Sequence, residues 1–200
     1  MSKSRLEAFS DGMFAIILTI LVLELSVPEL ENASFQAFWA GMVGLAPKFL
    51  AFAFSFFIIA IFWINHHDVL HQIKKVDTKL LWLNMGLLFF SCLFPFITAF
   101  IGDYMFNPFV VALYPLNMAF SSLMINALWK YAFVDTDLAP NHLTDAEKRQ
   151  RLTRDRMALL INLASVVLAF VWVPITLAIM AIMPFAFVVP EFFTKGKPAE

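Results

Sequence analysis

Arg5-Leu6-Glu7-Ala8-Phe9-Ser10-Asp11-Gly12-Met13-Phe14-Ala15-Ile16-Ile17-Leu18-Thr19-Ile20-Leu21-Val22-Leu23-Glu24-Leu25 begins with charged and polar groups, then turns apolar and runs to Val27 before Pro28. Phe9–Val27 is long enough to cross a bilayer core, which takes about 20 mostly apolar residues. Its place near the start resembles a secretory leader. Asp11 precedes the run, however, Glu24 falls within it and no small-residue cleavage site follows, so it is expected to be a retained first span. The rest of the 200 residues has the same character: 61% hydrophobic, 14% charged and a mean hydropathy of +0.79. Soluble domains carry about 25% charged residues, so the main solvent of this chain is expected to be lipid. The 24 Phe sit in long runs such as Phe52 to Trp63 rather than at amphipathic spacing. A net charge of −1 gives no electrostatic reason for a nucleic-acid partner. Cys92 is the only cysteine, so no intramolecular disulfide can form.

Working outward, further spans are expected at Gly44–Ile64, with Pro47 near its start, at Leu80–Ile101 and at Phe109–Trp129. Met157–Val189 would be about 50 Å long as one helix, too long for a bilayer core, and Pro174 disfavours helix at Val173. Two short spans joined by a tight hairpin are expected there. Charge placement counts the spans independently. Lys3, Arg5, Lys74, Lys75, Lys79, Lys130, Lys148, Arg149, Arg151, Arg154, Arg156, Lys195 and Lys197 all fall on one side of such a chain. Of the 14 Lys and Arg only Lys48 is left opposite, with Glu29, Glu31 and Asp103. The positive-inside rule then makes both termini cytoplasmic and the number of spans even. The expected fold is an all-α integral membrane protein with six transmembrane helices, one domain over 1–200 without an internal repeat. A cytoplasmic loop at about 131–155 opens a helix with the capping-box pattern Thr144-Asp145-Ala146-Glu147.

Chemistry concentrates in span one, which holds Asp11, Glu24, Ser10 and Thr19, whereas the apolar cores of spans three to six hold no charged residue or histidine. Charge in hydrocarbon costs several kcal/mol unless it faces protein or water, so span one is the candidate for a wet or protein-buried interior. Asp11 and Glu24 are about 20 Å apart along a helix, so each could also rest at a membrane interface. Ile16, Ile20 and Leu23, spaced by 4 and 3, share one helical stripe. Spacing alone would make that stripe a packing or lipid face. His67 and His71 stand at i and i+4, a spacing that can hold zinc, but no third ligand is near and no metal site is expected. Trp39, Trp63, Trp82, Trp129 and Trp172 all lie near proposed span ends, as interface anchors do.

Arg5-x-x-x-Phe9-Ser10-Asp11, with Ala15 to Leu25 and Pro28 behind it, resembles the signature of the endolysosomal potassium channels called transmembrane protein one-seventy-five and of their bacterial relatives. The resemblance implies a single-repeat subunit, four of which surround a pore lined by span one. It implies a constriction at Ile16, Ile20 and Leu23. It also makes Thr19 a polar layer affecting selectivity, although its hydroxyl could instead bond back to the Ala15 carbonyl. Arg5, Ser10 and Asp11 are expected to form a buried network, with Asn65, His66, His67 and Trp82 as available partners, and the resemblance implies a similar set of Arg, Asp, His and Trp.

No Thr-Val-Gly-Tyr-Gly loop exists and the six glycines never cluster, so a carbonyl filter is not expected. A hydrophobic constriction then controls passage, and Glu24 repeated near the outer mouth would favour cations. The expected function is a homotetrameric, potassium-selective or potassium-preferring channel of the cell membrane, with potassium as permeant ion, no cofactor and no enzymatic activity. The alternatives are a proton-permeable channel or a proton- or cation-coupled transporter. Coupled transport usually needs ionisable groups at the membrane midplane or broken half-helices, and spans three to six offer neither.

Overall fold

A computed structural model describes residues 1–139 and 143–182, and these residues are all-helical apart from their connections. In chain order the elements are α1 (Lys3–Ile20), closed by a 3-10 turn over Leu21–Glu24, α2 (Phe35–Gln72), α3 (Thr78–Cys92), α4 (Phe94–Asp103), α5 (Pro108–Lys130) running into a π turn over Tyr131–Asp135, and α6 (Asp145–Val171). A seventh helix, α7, covers Val173–Ile182. Among the described residues, four stretches are long and apolar enough to cross a membrane: Lys3–Glu24, Phe35–Gln72, Thr78–Asp103 and Pro108–Asp135. The apolar half of α6 and the short α7 lie within Met157–Val189, where two short spans are expected from the sequence. The end of the expected sixth span, 183–189, lies outside the described residues, as do Lys195 and Lys197.

Three boundaries differ from the sequence reading, each for a local reason. The second span starts at Phe35 rather than near Gly44, because the Ser34 hydroxyl caps the helix by accepting from the Ala37 N–H at 3.2 Å. Pro47 therefore sits inside α2, where it removes one bond of the helical ladder, and not at a harmless start. The third span is two helices. Leu93 closes α3 with a tight bond to the Phe90 carbonyl at 3.2 Å, and Pro95 occupies the first turn of α4, where its missing N–H costs nothing. The last break falls at Trp172, one residue earlier than Pro174 suggests, because Pro174 is accommodated in the first turn of α7. The capping box at Thr144 and Glu147 is present, with both reciprocal bonds made.

Contacts along the helices set their directions. Lys3 at the start of α1 donates to the His71 carbonyl at the end of α2, so these two run antiparallel. Lys48 near the start of α2 pairs with Asp103 at the end of α4 at 2.7 Å. Trp129 at the end of α5 lies under Arg151 at the start of α6, while Phe109 at the start of α5 meets Phe170 at the end of α6. One end of the bundle therefore gathers Lys3, Lys79, Lys130 and the basic turn of α6. The other holds Glu24, Asp103 and Lys48, whose charge is neutralised in its ion pair. Gly102 permits this approach: a Cβ there would stand 3.0 Å from Lys48 Cγ and 3.4 Å from its Cα.

Two cores hold the bundle together. The larger packs Phe14 and Ile17 of α1 and Leu21 of the 3-10 turn against Ile58, Ile59 and Phe62 of α2, with Leu87, Phe94, Ile97 and Tyr114 behind them. A smaller one at the basic end joins Leu6 to Val69, Leu80, Leu128, Trp129 and Phe133. Trp129 is thus a core residue, 2% exposed, and not an interface anchor.

Candidate functional site

α1 has two faces of different fate. Leu6, Ser10, Phe14, Ile17 and Leu21 are buried, which is the inward stripe of a helix at spacings of 4, 4, 3 and 4. The opposite stripe is uncovered: Arg5, Phe9, Gly12, Ile16, Thr19, Ile20 and Leu23 are all exposed. Adjacent residues make the contrast sharpest, since Ile16 is 55% exposed and Ile17 3%. The three residues of the predicted constriction lie together on this uncovered stripe. Leu23 belongs to the 3-10 turn and is 74% exposed. Thr19 shares the stripe, and its hydroxyl donates back within α1, lying 2.9 Å from the Ile16 carbonyl and 3.1 Å from that of Ala15. The hydroxyl oxygen keeps its lone pairs, so Thr19 presents an acceptor on an otherwise apolar stripe.

A polar seam ties α1 to α2 and α3 near the basic end. His66 Nε2 donates to Asn84 Oδ1 at 2.6 Å, and Asn84 Nδ2 donates to the Ser10 hydroxyl at 3.0 Å. All three side chains are buried, and the bond to the amide oxygen places a proton on His66 Nε2. His66 Nδ1 has no partner among the described residues. Alongside, the Trp63 indole N–H donates to Asp11 Oδ1 at 2.9 Å. The seam thus brings together Ser10, Asp11 and His66 of the expected network. Trp63 and Asn84 are the partners that sequence reasoning missed. Asn84 carried a signal: it is the one amide in the apolar run Leu80 to Leu88, and a buried amide needs partners.

Other members of the expected network stand apart within one subunit. Arg5 is exposed on the outward stripe of α1, one turn before Phe9, and Trp82 is 73% exposed. Asn65 donates to the Ile61 carbonyl on its own helix at 3.0 Å. His67 is exposed; its ring is tilted against that of Trp63 and stacked on that of His71, with centroids 5.8 and 6.0 Å away. Among the described residues no group of three or more metal-ligating side chains forms. A second polar cluster, not foreseen, lies deeper: the buried Ser55 hydroxyl accepts from Tyr114 at 3.0 Å and from Thr98 at 2.7 Å, joining α2, α4 and α5.

Glu24 stands at the other end of α1, half-buried at the rim of a groove of about 650 Å³. Ile16 and Ile20 line one wall, and Phe96, Phe100, Asp103 and Tyr104 of α4 and its end line the other. The two carboxylates of this rim differ, because Asp103 is paired with Lys48 and Glu24 makes no ion pair among the described residues. At the basic end a tie outside the spans closes the α2–α3 connection. Asp77 caps α3 and accepts from the Tyr131 hydroxyl at 2.6 Å, and that bond holds its carboxyl below the ordinary carboxylate range.

Residues 5–95 match the family described as "Endosomal/lysosomal potassium channel TMEM175". The chain is 35% identical over 185 residues to a potassium channel of Streptomyces collinus, covering 88% of this chain and 86% of that protein. It is 44% identical over 128 residues to a potassium channel of Chryseobacterium sp., where the match spans 64% of each. The fold is similar to the crystal structure of a lysosomal potassium-selective channel TMEM175 homolog from Chamaesiphon minutus, with a TM-score of 0.82, 27% identity, and coverage of 94% of this chain and 97% of that one.

Proposed function

The chain belongs to the TMEM175 family of ion channels, and from that premise we propose that it is the subunit of a homotetrameric, potassium-preferring cation channel of the bacterial cell membrane. The observation that carries this reading is the division of α1. One face is sealed into the subunit core, and the other leaves Ile16, Thr19, Ile20 and Leu23 uncovered. An apolar face of that size needs a cover, and a stripe that also carries Thr19 suits a channel axis better than acyl chains. Four copies of α1 around one axis bring the aliphatic side chains to a narrow, dry neck that hydrated ions pass with difficulty. Thr19 places a ring of acceptors between two aliphatic layers, and Glu24 concentrates cations at the outer mouth.

The topology follows the charge. The end bearing Lys3, Lys79, Lys130 and the basic turn of α6 is cytoplasmic, both termini lie on that side, and the chain crosses six times. The seam of Ser10, Asp11, Trp63, His66 and Asn84 then sits at the cytoplasmic end of the pore helix. Its role is to hold α1 at a fixed rotation against α2 and α3, so that the outward stripe points to the axis. Arg5, Phe9 and Trp82, uncovered in one subunit, face neighbouring subunits.

The test is current through purified protein in planar bilayers under a potassium gradient against a sodium gradient. A reversal potential displaced toward the potassium equilibrium value is expected. Absence of current in protein that is otherwise well folded contradicts the proposal. A reversal potential that follows the proton gradient instead favours the proton-permeable alternative.

A further inference from the structure

We infer that the basic first half of α6 and the groove beside it form a binding site for an anionic phospholipid of the cytoplasmic leaflet, phosphate uppermost and one acyl chain running down the helix. The site rests on the topology proposed above, not on conduction. Its position comes from packing: α6 packs chiefly on α5, whereas α1 packs on α2, α3 and α4. A helix on the far side of α5 from α1 lies at the periphery of an assembly built around α1, where lipid is the neighbour.

Polarity along α6 matches that of a lipid. Lys148–Arg156 holds five cations, Lys148, Arg149, Arg151, Arg154 and Arg156, against a single anion, Asp155. Asp155 is shared, since Arg151 and Arg154 both approach it at 3.9 Å. From Met157 to Val171 the helix has no charge and runs about 22 Å. The outward face follows the same order, Arg149 and Arg156 first, then Leu160, Leu163 and Val167, all exposed.

A groove of about 430 Å³ lies on this boundary, lined among the described residues by Gln150, Thr153, Arg154, Met157 and Ile161. These residues fall at i, i+3, i+4, i+7 and i+11, one stripe about 16 Å long. Its upper part offers a guanidinium, an amide and a hydroxyl, the donors a phosphodiester accepts from. Its lower part offers a flexible thioether chain and an aliphatic one, which suit the first carbons of an acyl chain. Basic residues just cytoplasmic of a span attract anionic lipid, and here they come with a cleft that has a lipid's own polarity gradient.

Native mass spectrometry of the full chain, purified in detergent and stripped of lipid, tests this with equal amounts of phosphatidylglycerol and phosphatidylcholine of matched chains. Wild-type protein is expected to retain phosphatidylglycerol in preference. Arg154→Gln should lower that preference about fivefold, the weight of one juxtamembrane cation. Thr153→Glu, which leaves Arg154 and its neighbours in place, should lower it as much, and Arg154→Lys should keep most of it. Lys48→Gln, at the opposite end, should leave the preference unchanged. Equal retention of the two lipids by wild-type protein overturns the inference, as does an unaltered preference in both Arg154→Gln and Thr153→Glu. No current is recorded in this experiment, so its failure leaves the channel reading to stand or fall on its own test.

Discussion

Replacing Asn84 with Leu puts an apolar side chain of similar shape in α3 and removes the middle of the seam. Asn84 is fully buried, and its amide makes two bonds, one from His66 at 2.6 Å and one to Ser10 at 3.0 Å. Side-chain bonds between membrane helices are worth about 0.6 kcal/mol on average and up to about 1.7. Two of them set the loss at about 1–3 kcal/mol. The variant also leaves the His66 N–H buried without an acceptor, and a stranded donor costs about 1–3 kcal/mol, so the upper half of the range is expected. Denaturant-driven unfolding of the purified protein in mixed micelles measures the change. The double variant His66→Phe/Asn84→Leu makes both sides apolar and should recover at least half of the loss, because no donor remains stranded. An Asn84→Leu variant within about 0.5 kcal/mol of wild type would refute the argument. So would a double variant that costs the sum of the two single changes.

Asp11→Ala removes the acceptor of the Trp63 indole and should loosen α1 from α2, read as a reduced yield of assembled protein, whereas a normal tetramer with normal current would show that this contact is dispensable. Glu24→Gln should lower potassium conductance most at low salt, since screening hides a mouth charge at high salt, and a change independent of salt would return Glu24 to a merely interfacial position. The Asp77–Tyr131 tie predicts a pH dependence: the folded carboxyl is held below its unfolded value, so its contribution is complete above the ordinary Asp range and is lost as pH falls through the lowered value. Unfolding midpoints of wild type and Tyr131→Phe should therefore differ at neutral pH and converge in acid; a constant difference across that range contradicts the tie.

How much of this was readable from the sequence depends on whether a residue breaks a pattern. That Ile16, Ile20 and Leu23 share one stripe was legible from their helical spacing, but spacing alone suited a packing or lipid face, and only the resemblance pointed to another role. The partners of Asp11 were not legible. α2 is apolar all round, so no amphipathic phase tells which side of Trp63 or His66 faces α1. For the same reason Pro47 was assigned to a helix start, the cap at Ser34 being hidden in a connection with no clear boundary. The Lys48–Asp103 pair explains the one cation that the charge count left on the acidic side. Ser55, Thr98 and Tyr114 gave no warning, since hydroxyls inside membrane helices usually bond to their own backbone and only packing shows which ones meet.

The comparison of Ile16→Asn with Ile17→Asn tests most directly whether the uncovered face of α1 lines the pore. The two positions differ by one residue and about 100° around the helix, and by 55% against 3% exposure in the subunit. Reversal potentials and current per unit of purified protein are recorded for both in potassium and sodium gradients. Ile16→Asn should wet the neck, raising current and weakening discrimination between the two ions, while Ile17→Asn should strand an amide in the core and reduce functional protein. If Ile16→Asn instead lowers current as Ile17→Asn does, and leaves the selectivity of the residual current unchanged, Ile16 does not face the pore.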